Sequence, residues 1–180
     1  MATPFRPAVD LLAQYATYHR DRRNILTHFV GVPMIVFSVG VLLSAVRFNV
    51  AGLSLSLAWV VFAVTALWYL SRGHFAIGLA SSLGVGLLMA LAHQVGSGTA
   101  ASWAAWWIGF FTVGWIIQFV GHYYEGRKPA FADDLVGLLV GPMFVVLEML
   151  APMGLFKDLM AEIERRAGPT HLRDLAGSTT

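Results

Sequence analysis

Between Asn24 and Tyr124 the chain carries only two charged side chains, Arg47 and Arg72. In water such a run has no polar face to present. In a bilayer, each stretch of about 20 apolar residues can cross as a helix that satisfies its own backbone. Composition agrees, with 57% hydrophobic and 12% charged residues against about 25% charged in an ordinary soluble domain. The chain therefore reads as an integral membrane protein of the all-α class, a polytopic helical bundle with four to five spans and an N-terminal interfacial amphipathic helix. The absence of cysteine excludes disulfides and thiolate metal sites. A formal net charge of +2 is too small to argue for nucleic acid, and the basic residues flank apolar spans, where membrane lipids are the natural partner. Met1 to Asp10 lacks the pattern of a signal peptide.

From Ala8 to His19 the larger apolar residues fall at Leu11, Leu12, Tyr15 and Tyr18, the spacing of an amphipathic helix lying in the interface, with His19 continuing the stripe. Spans are expected at about Phe29 to Val46, Val50 to Leu70, Phe75 to Ala92 and Trp103 to Val120. Asn24 and Thr27 are candidate caps for the first span, and Gly31 and Pro33 fall in its opening turns, where a missing donor costs least. Gly78, Ser81, Ser82, Gly84 and Gly86 allow close helix contact in the third span, and Trp103, Trp106 and Trp107 form an interfacial belt at the head of the fourth. A fifth segment, Leu135 to Pro152, is capped by Asp133 and Asp134 but interrupted by Gly141, Pro142 and Glu148, so it either spans or re-enters. Residues 1–156 form one membrane domain and 157–180 an amphipathic tail, with Gly168 to Thr180 expected as a mobile end.

Alternating spans bring His19, His28, His74 and His122 to one membrane face and exclude His93, while His171 is expected exposed in the tail. Arg6, Arg20, Arg22, Arg23, Arg72, Arg127 and Lys128 share that face against Arg47 on the other, which makes it cytoplasmic. A lone histidine at a membrane boundary reads as an ordinary interfacial residue. Four converging on one face argue for a metal site, because ionisable groups in membranes are costly and usually functional. Neutral imidazoles bind iron, zinc, copper or nickel, so spacing does not choose the metal. On one helix, Gln118 and Glu125 lie four residues before and three after His122 and share its face. Glu125 then ligates, orients a histidine, accepts protons, or simply pairs with Arg127 or Lys128.

The runs Tyr15 to Pro33 (YATYHRDRRNILTHFVGVP), Trp115 to Ala130 (WIIQFVGHYYEGRKPA) and Gly141 to Leu150 (GPMFVVLEML) resemble the family of the yeast 2-hydroxy fatty acid dioxygenase. The resemblance covers about Leu11 to Leu150. It implies an iron(II)-dependent membrane enzyme that shortens long-chain 2-hydroxy fatty acids by one carbon with dioxygen, releasing carbon dioxide. Tyr15-x3-His19, Asn24-x3-His28 and Gln118-x2-Gly121-His122 carry His19, His28 and His122 over as the essential histidines, whereas His74 rests on topology alone. Around them Asn24, Tyr123 and Glu125 are candidate catalytic groups. Arg20, Arg23 and Arg72 are candidates to steady the acid headgroup, with Gln118 and Tyr15 also contacting substrate. The active face would be cytoplasmic, in the inner membrane of a bacterium or the endoplasmic reticulum of a eukaryote. The rival readings are a small-solute or proton transporter and a metal-free lipid-binding scaffold.

Overall fold

With no water available to their backbones, the apolar segments close their hydrogen bonds internally. The structure, a computed structural model describing residues 5–129 and 135–175, is accordingly almost all helix. The order is α1 (Ala8–Ala16), α2 (Arg22–Ser44), β1 (Arg47–Val50), β2 (Leu53–Ser56), α3 (Leu57–Leu70), α4 (Phe75–Gly96), α5 (Ala100–Glu125), α6 (Val136–Leu150), a 3-10 turn (Ala151–Met153) and α7 (Lys157–Ala167). Helices α2, α4 and α5, of 23, 22 and 26 residues, have the length and hydropathy to cross a bilayer.

Helix α3 completes the alternation but has only 14 residues, about 21 Å of rise, against a hydrocarbon core of about 30 Å. The expected span from Val50 is shortened because its first residues form a β-hairpin, with Arg47 opposite Ser56 and Val50 opposite Leu53. Ala51 and Gly52 both have positive φ, 50° and 84°, the two-residue turn whose twist matches paired strands. Alternating serine and leucine from Leu53 to Ser56 was the period-two signal for it.

Helix α2 starts well before the expected Phe29. Asp21, rather than Asn24 or Thr27, caps it by accepting from the Arg23 N–H at 2.8 Å. Pro33 consequently sits inside the helix instead of in its opening turns, and withholds a donor from the carbonyl four residues back. The suggested caps Asp133 and Asp134 lie outside the described residues.

The fifth segment is tied at both ends to the end of the bundle that carries the N-terminus. Near its start the Leu139 carbonyl accepts from the Tyr69 hydroxyl at the end of α3 (2.9 Å), and near its end Glu148 pairs with Arg20 at 3.2 Å. Both partners belong to the N-terminal end, an arrangement that suits the re-entrant alternative, and α7 leaves α6 at 118°. Helix α7 packs on α1, joined by Arg166 and Asp10 at 2.7 Å. The basic residues of α7 thus stay on the face that charge bias prefers. The apolar stripe of α1 faces into the protein: Leu11, Leu12 and Tyr15 are buried where α1 contacts α6 and α7.

The most extensive helix contact is α2 with α5, and small residues allow it. A Cβ added at Gly114 would lie 2.8 Å from Ile35 Cγ1, one at Gly31 would lie 2.6 Å from Gln118 Nε2, and one at Gly121 would strike the Thr27 hydroxyl. Gly121→Ala is expected to cost about 1–3 kcal/mol through overpacking, read as a lower Tm of the detergent-purified protein. An unchanged Tm would contradict the close approach.

Candidate metal centre

The α1 to α2 connection delivers His19, the second turn of α2 delivers His28, and the last turn of α5 delivers His122. One ligand atom from each lies within 4.8 Å of the others. The three rings meet edge to face, with centroids 4.5, 4.9 and 5.2 Å apart. All are buried, at 0%, 2% and 6% exposure.

The hydrogen bonds decide what the cluster can hold. His19 Nδ1 lies 2.7 Å from the Tyr15 carbonyl and His28 Nδ1 lies 2.8 Å from the Asn24 carbonyl. A carbonyl only accepts, so each Nδ1 donates and each Nε2 presents a lone pair. These two Nε2 atoms face each other at 3.0 Å. Two lone pairs at that separation repel unless a cation lies between or beside them. A proton is a poor choice, because burial, followed by the neighbouring His28 and His122, holds His19 well below the usual histidine range. A metal ion fits: the Nδ1 bonds to backbone carbonyls are the usual outer support for imidazole ligands. His122 Nδ1, buried and without a hydrogen-bond partner, is a further atom that a cation would satisfy.

Around the cluster, the Tyr15 ring stacks on His19 at 4.1 Å with 5° between planes. Glu125, buried at 8% exposure, accepts from the Arg20 N–H (2.9 Å), the Asp21 N–H (2.8 Å) and Asn24 Nδ2 (3.0 Å). It therefore braces the connection that carries His19, and its observed partners are neither Arg127 nor Lys128. Asn24 belongs to the same brace and also donates to the Tyr18 carbonyl at 3.1 Å. Asp21, whose carboxyl is pulled down to about 2 chiefly by its hydrogen bond from Arg23, accepts the Arg173 N–H at 2.8 Å. The tail closes over this connection: His171 N–H donates to the Arg20 carbonyl and Arg22 N–H to the His171 carbonyl, both at 2.9 Å. Residues 168–175 are docked where the sequence suggested a loose end. A two-residue bridge leaves no periodicity to read. The His171 side chain itself is exposed, as expected.

Several expected site residues are placed elsewhere. His74 caps α4, its Nδ1 accepting from Ile77 N–H at 3.4 Å, and is not in the cluster. Tyr123 is 71% exposed, since it follows His122 by one residue and so leaves the face His122 occupies. Arg20 is buried and donates to the Ala16, His19 and Gly168 carbonyls and to Glu148. Arg23 holds Asp21 and the Arg173 carbonyl, and Arg72 donates to the Trp68 carbonyl and Ser71 hydroxyl. Each of the three guanidiniums thus has protein partners among the described residues. His93 sits at the far end, 3.3 Å from the Ser56 hydroxyl.

Gln118 and Tyr15 lie on the histidine side of the bundle. Both line an apolar cleft with His28, His122, Val36 and Trp115. The Gln118 amide is buried with neither its nitrogen nor its oxygen bonded, an unmet donor and acceptor beside the histidines.

Residues 5–153 match the sequence profile of the family described as 2-hydroxy-palmitic acid dioxygenase Mpo1-like. The chain belongs to the Mpo1-like family. It is 34% identical over 162 residues to the 2-hydroxy-palmitic acid dioxygenase MPO1 of Saccharomyces cerevisiae, covering 87% of this chain and 88% of that relative. No solved structure matches the chain. The Mpo1-like match ends before α7, so the tail that straps the His19 connection lies beyond it.

Proposed function

We propose that this Mpo1-like membrane dioxygenase carries out iron(II)-dependent α-oxidation of long-chain 2-hydroxy fatty acids. One hydroxy acid and one dioxygen give the acid one carbon shorter, carbon dioxide and water, a balance that needs no external reductant. The observation that carries the reading is the pair of imidazole lone pairs facing each other at 3.0 Å in a buried three-histidine cluster. His19, His28 and His122 would hold the metal. When bound, iron(II) supplies the dioxygen chemistry that amino-acid side chains lack.

The rest falls to the protein. The Tyr15 and Asn24 carbonyls fix the imidazole tautomers, and stacked Tyr15 keeps His19 from rotating. The unbonded Gln118 amide is free to bond the 2-hydroxyl or an acid oxygen, while the apolar cleft beside it takes the start of the acyl chain. Asn24 and Glu125 act as positioning residues through the connection they hold. The concentration of arginine at this end supports a cytoplasmic active face. A transporter would place its ionisable groups near the bilayer midplane, whereas these belong to the second turn of α2 and the last turn of α5. A lipid-binding scaffold has no use for three mutually facing imidazoles.

Purified protein supplied with iron(II) in air should convert 2-hydroxyhexadecanoic acid to the fifteen-carbon acid. The unsubstituted acid should react at least ~100-fold more slowly, because a site built to bond a hydroxyl rejects the analogue lacking it. Mass spectrometry of the products decides. Equal turnover of the unsubstituted acid, or turnover undiminished without oxygen, would overturn the proposal.

A further inference from the structure

A long-chain acid brings a carboxylate, and Arg20, Arg23 and Arg72 are already engaged. A second cleft, of about 320 Å³, adjoins the cluster through His122 and is lined also by Tyr123, Gly126, Arg127, Arg173 and Leu175. Its two guanidiniums come from distant parts of the chain. Arg127 follows the end of α5 and is exposed, giving one Nη1 bond to the Thr17 carbonyl at 3.0 Å. Arg173 comes from the tail and is half-buried. Its backbone is pinned on both sides, the N–H to Asp21 at 2.8 Å and the carbonyl by Arg23 at 2.7 Å.

The Arg173 side chain lies against the end of α5. Its guanidinium lies over Gly126, the α5 cap at φ 70°, where an added Cβ would strike Nη1 and Cζ and lie 2.9 Å from Nε. Glycine at this position thus does two things: it adopts the left-handed turn and leaves room for the arginine. The outcome is two like charges in one cleft, and among the described residues neither forms an ion pair with a carboxylate. Two arginines lining one cleft with His122, Tyr123 and Leu175 suit a carboxylate on an apolar chain.

We infer that Arg127 and Arg173 form the receiving site for the substrate's carboxylate next to His122, with the tail supplying the second arginine. This rests on the function proposed above for the identity of the acid. The bland alternative is that Arg173 only favours the C-terminal end of the α5 dipole and fastens the tail.

Arg173→Gln separates them. Losing a charge-assisted bond to the acid should raise KM for 2-hydroxyhexadecanoic acid roughly tenfold or more, with kcat and iron content near wild type and partial recovery in Arg173→Lys. An unmoved KM, or a fall in iron content and kcat at constant KM, overturns the inference. A second measurement does not depend on turnover. Metal-free protein is titrated with hexadecanoic acid and with hexadecanol in one detergent, followed by tryptophan fluorescence. Wild type should prefer the acid and the Arg127→Gln, Arg173→Gln double variant should not. Equal preference in wild type and double variant also overturns it. Failure of wild type to oxidise the hydroxy acid would remove the proposed function, while this titration still tests the carboxylate site.

Discussion

Alanine at His19, His28 or His122 is expected to leave a membrane protein that still folds but loses iron affinity by more than ~100-fold, since even an outer-shell change costs 10- to 100-fold. Each substitution removes one of three ligand atoms from a set lying within 4.8 Å, and oxygen-dependent turnover should vanish with the metal. The other histidines provide the contrast. His93→Ala loses a 3.3 Å contact to Ser56 at the opposite end, and His171→Ala loses only an exposed ring, because the tail is docked through backbone atoms. His74→Ala loses the cap of α4, worth about 1 kcal/mol, and should keep its iron. Elemental analysis of purified variants reads all six. Iron retained in His28→Ala would dissolve the centre, and iron lost in His74→Ala would mean that the cluster extends beyond three histidines.

The sequence made the face of the site legible because charge and hydropathy set the alternation of spans, and alternation alone brought His19, His28 and His122 together while excluding His93. It could not distinguish His74, which shares the face but is turned by the start of α4 toward its own backbone. The partners of the arginines were hidden for a related reason. Their positions beside the cluster were readable, but an arginine near a site and one free to serve it have the same pattern, and Arg20 is consumed by carbonyls that only the folded connection presents. The length of α3 was misjudged because leucine-rich residues before it fit a span and a hairpin equally well until the Ala51–Gly52 turn is counted. The contribution of the tail was invisible, resting on Asp21 and single backbone bonds that span most of the chain. Glu125 was read correctly as sharing the face of His122, yet what that carboxylate touches depends on a connection whose conformation no spacing specifies.

Glu125→Ala is expected to be the most damaging change outside the three ligands. One carboxylate reaches the immediate surroundings of every histidine: it accepts the N–H of Arg20, next to His19, bonds Asn24, whose carbonyl holds His28, and stands one turn after His122. Removing it strands two buried backbone N–H groups, at about 1–3 kcal/mol for each, and takes one of the two bonds of the Asn24 amide. The cost should be ~3 kcal/mol or more, with affinity for the proposed iron lost as His19 and His28 drift apart. Glu125→Gln is scarcely milder, because its amide turns an N–H toward one of the backbone N–H groups that the carboxylate accepted. Thermal unfolding in detergent and iron content should therefore fall together in both variants. A glutamine variant with unaltered Tm and iron that nevertheless fails to turn over would point instead to a proton-handling role for Glu125, and would mean that the connection carrying His19 is held by Asp21 and the docked tail.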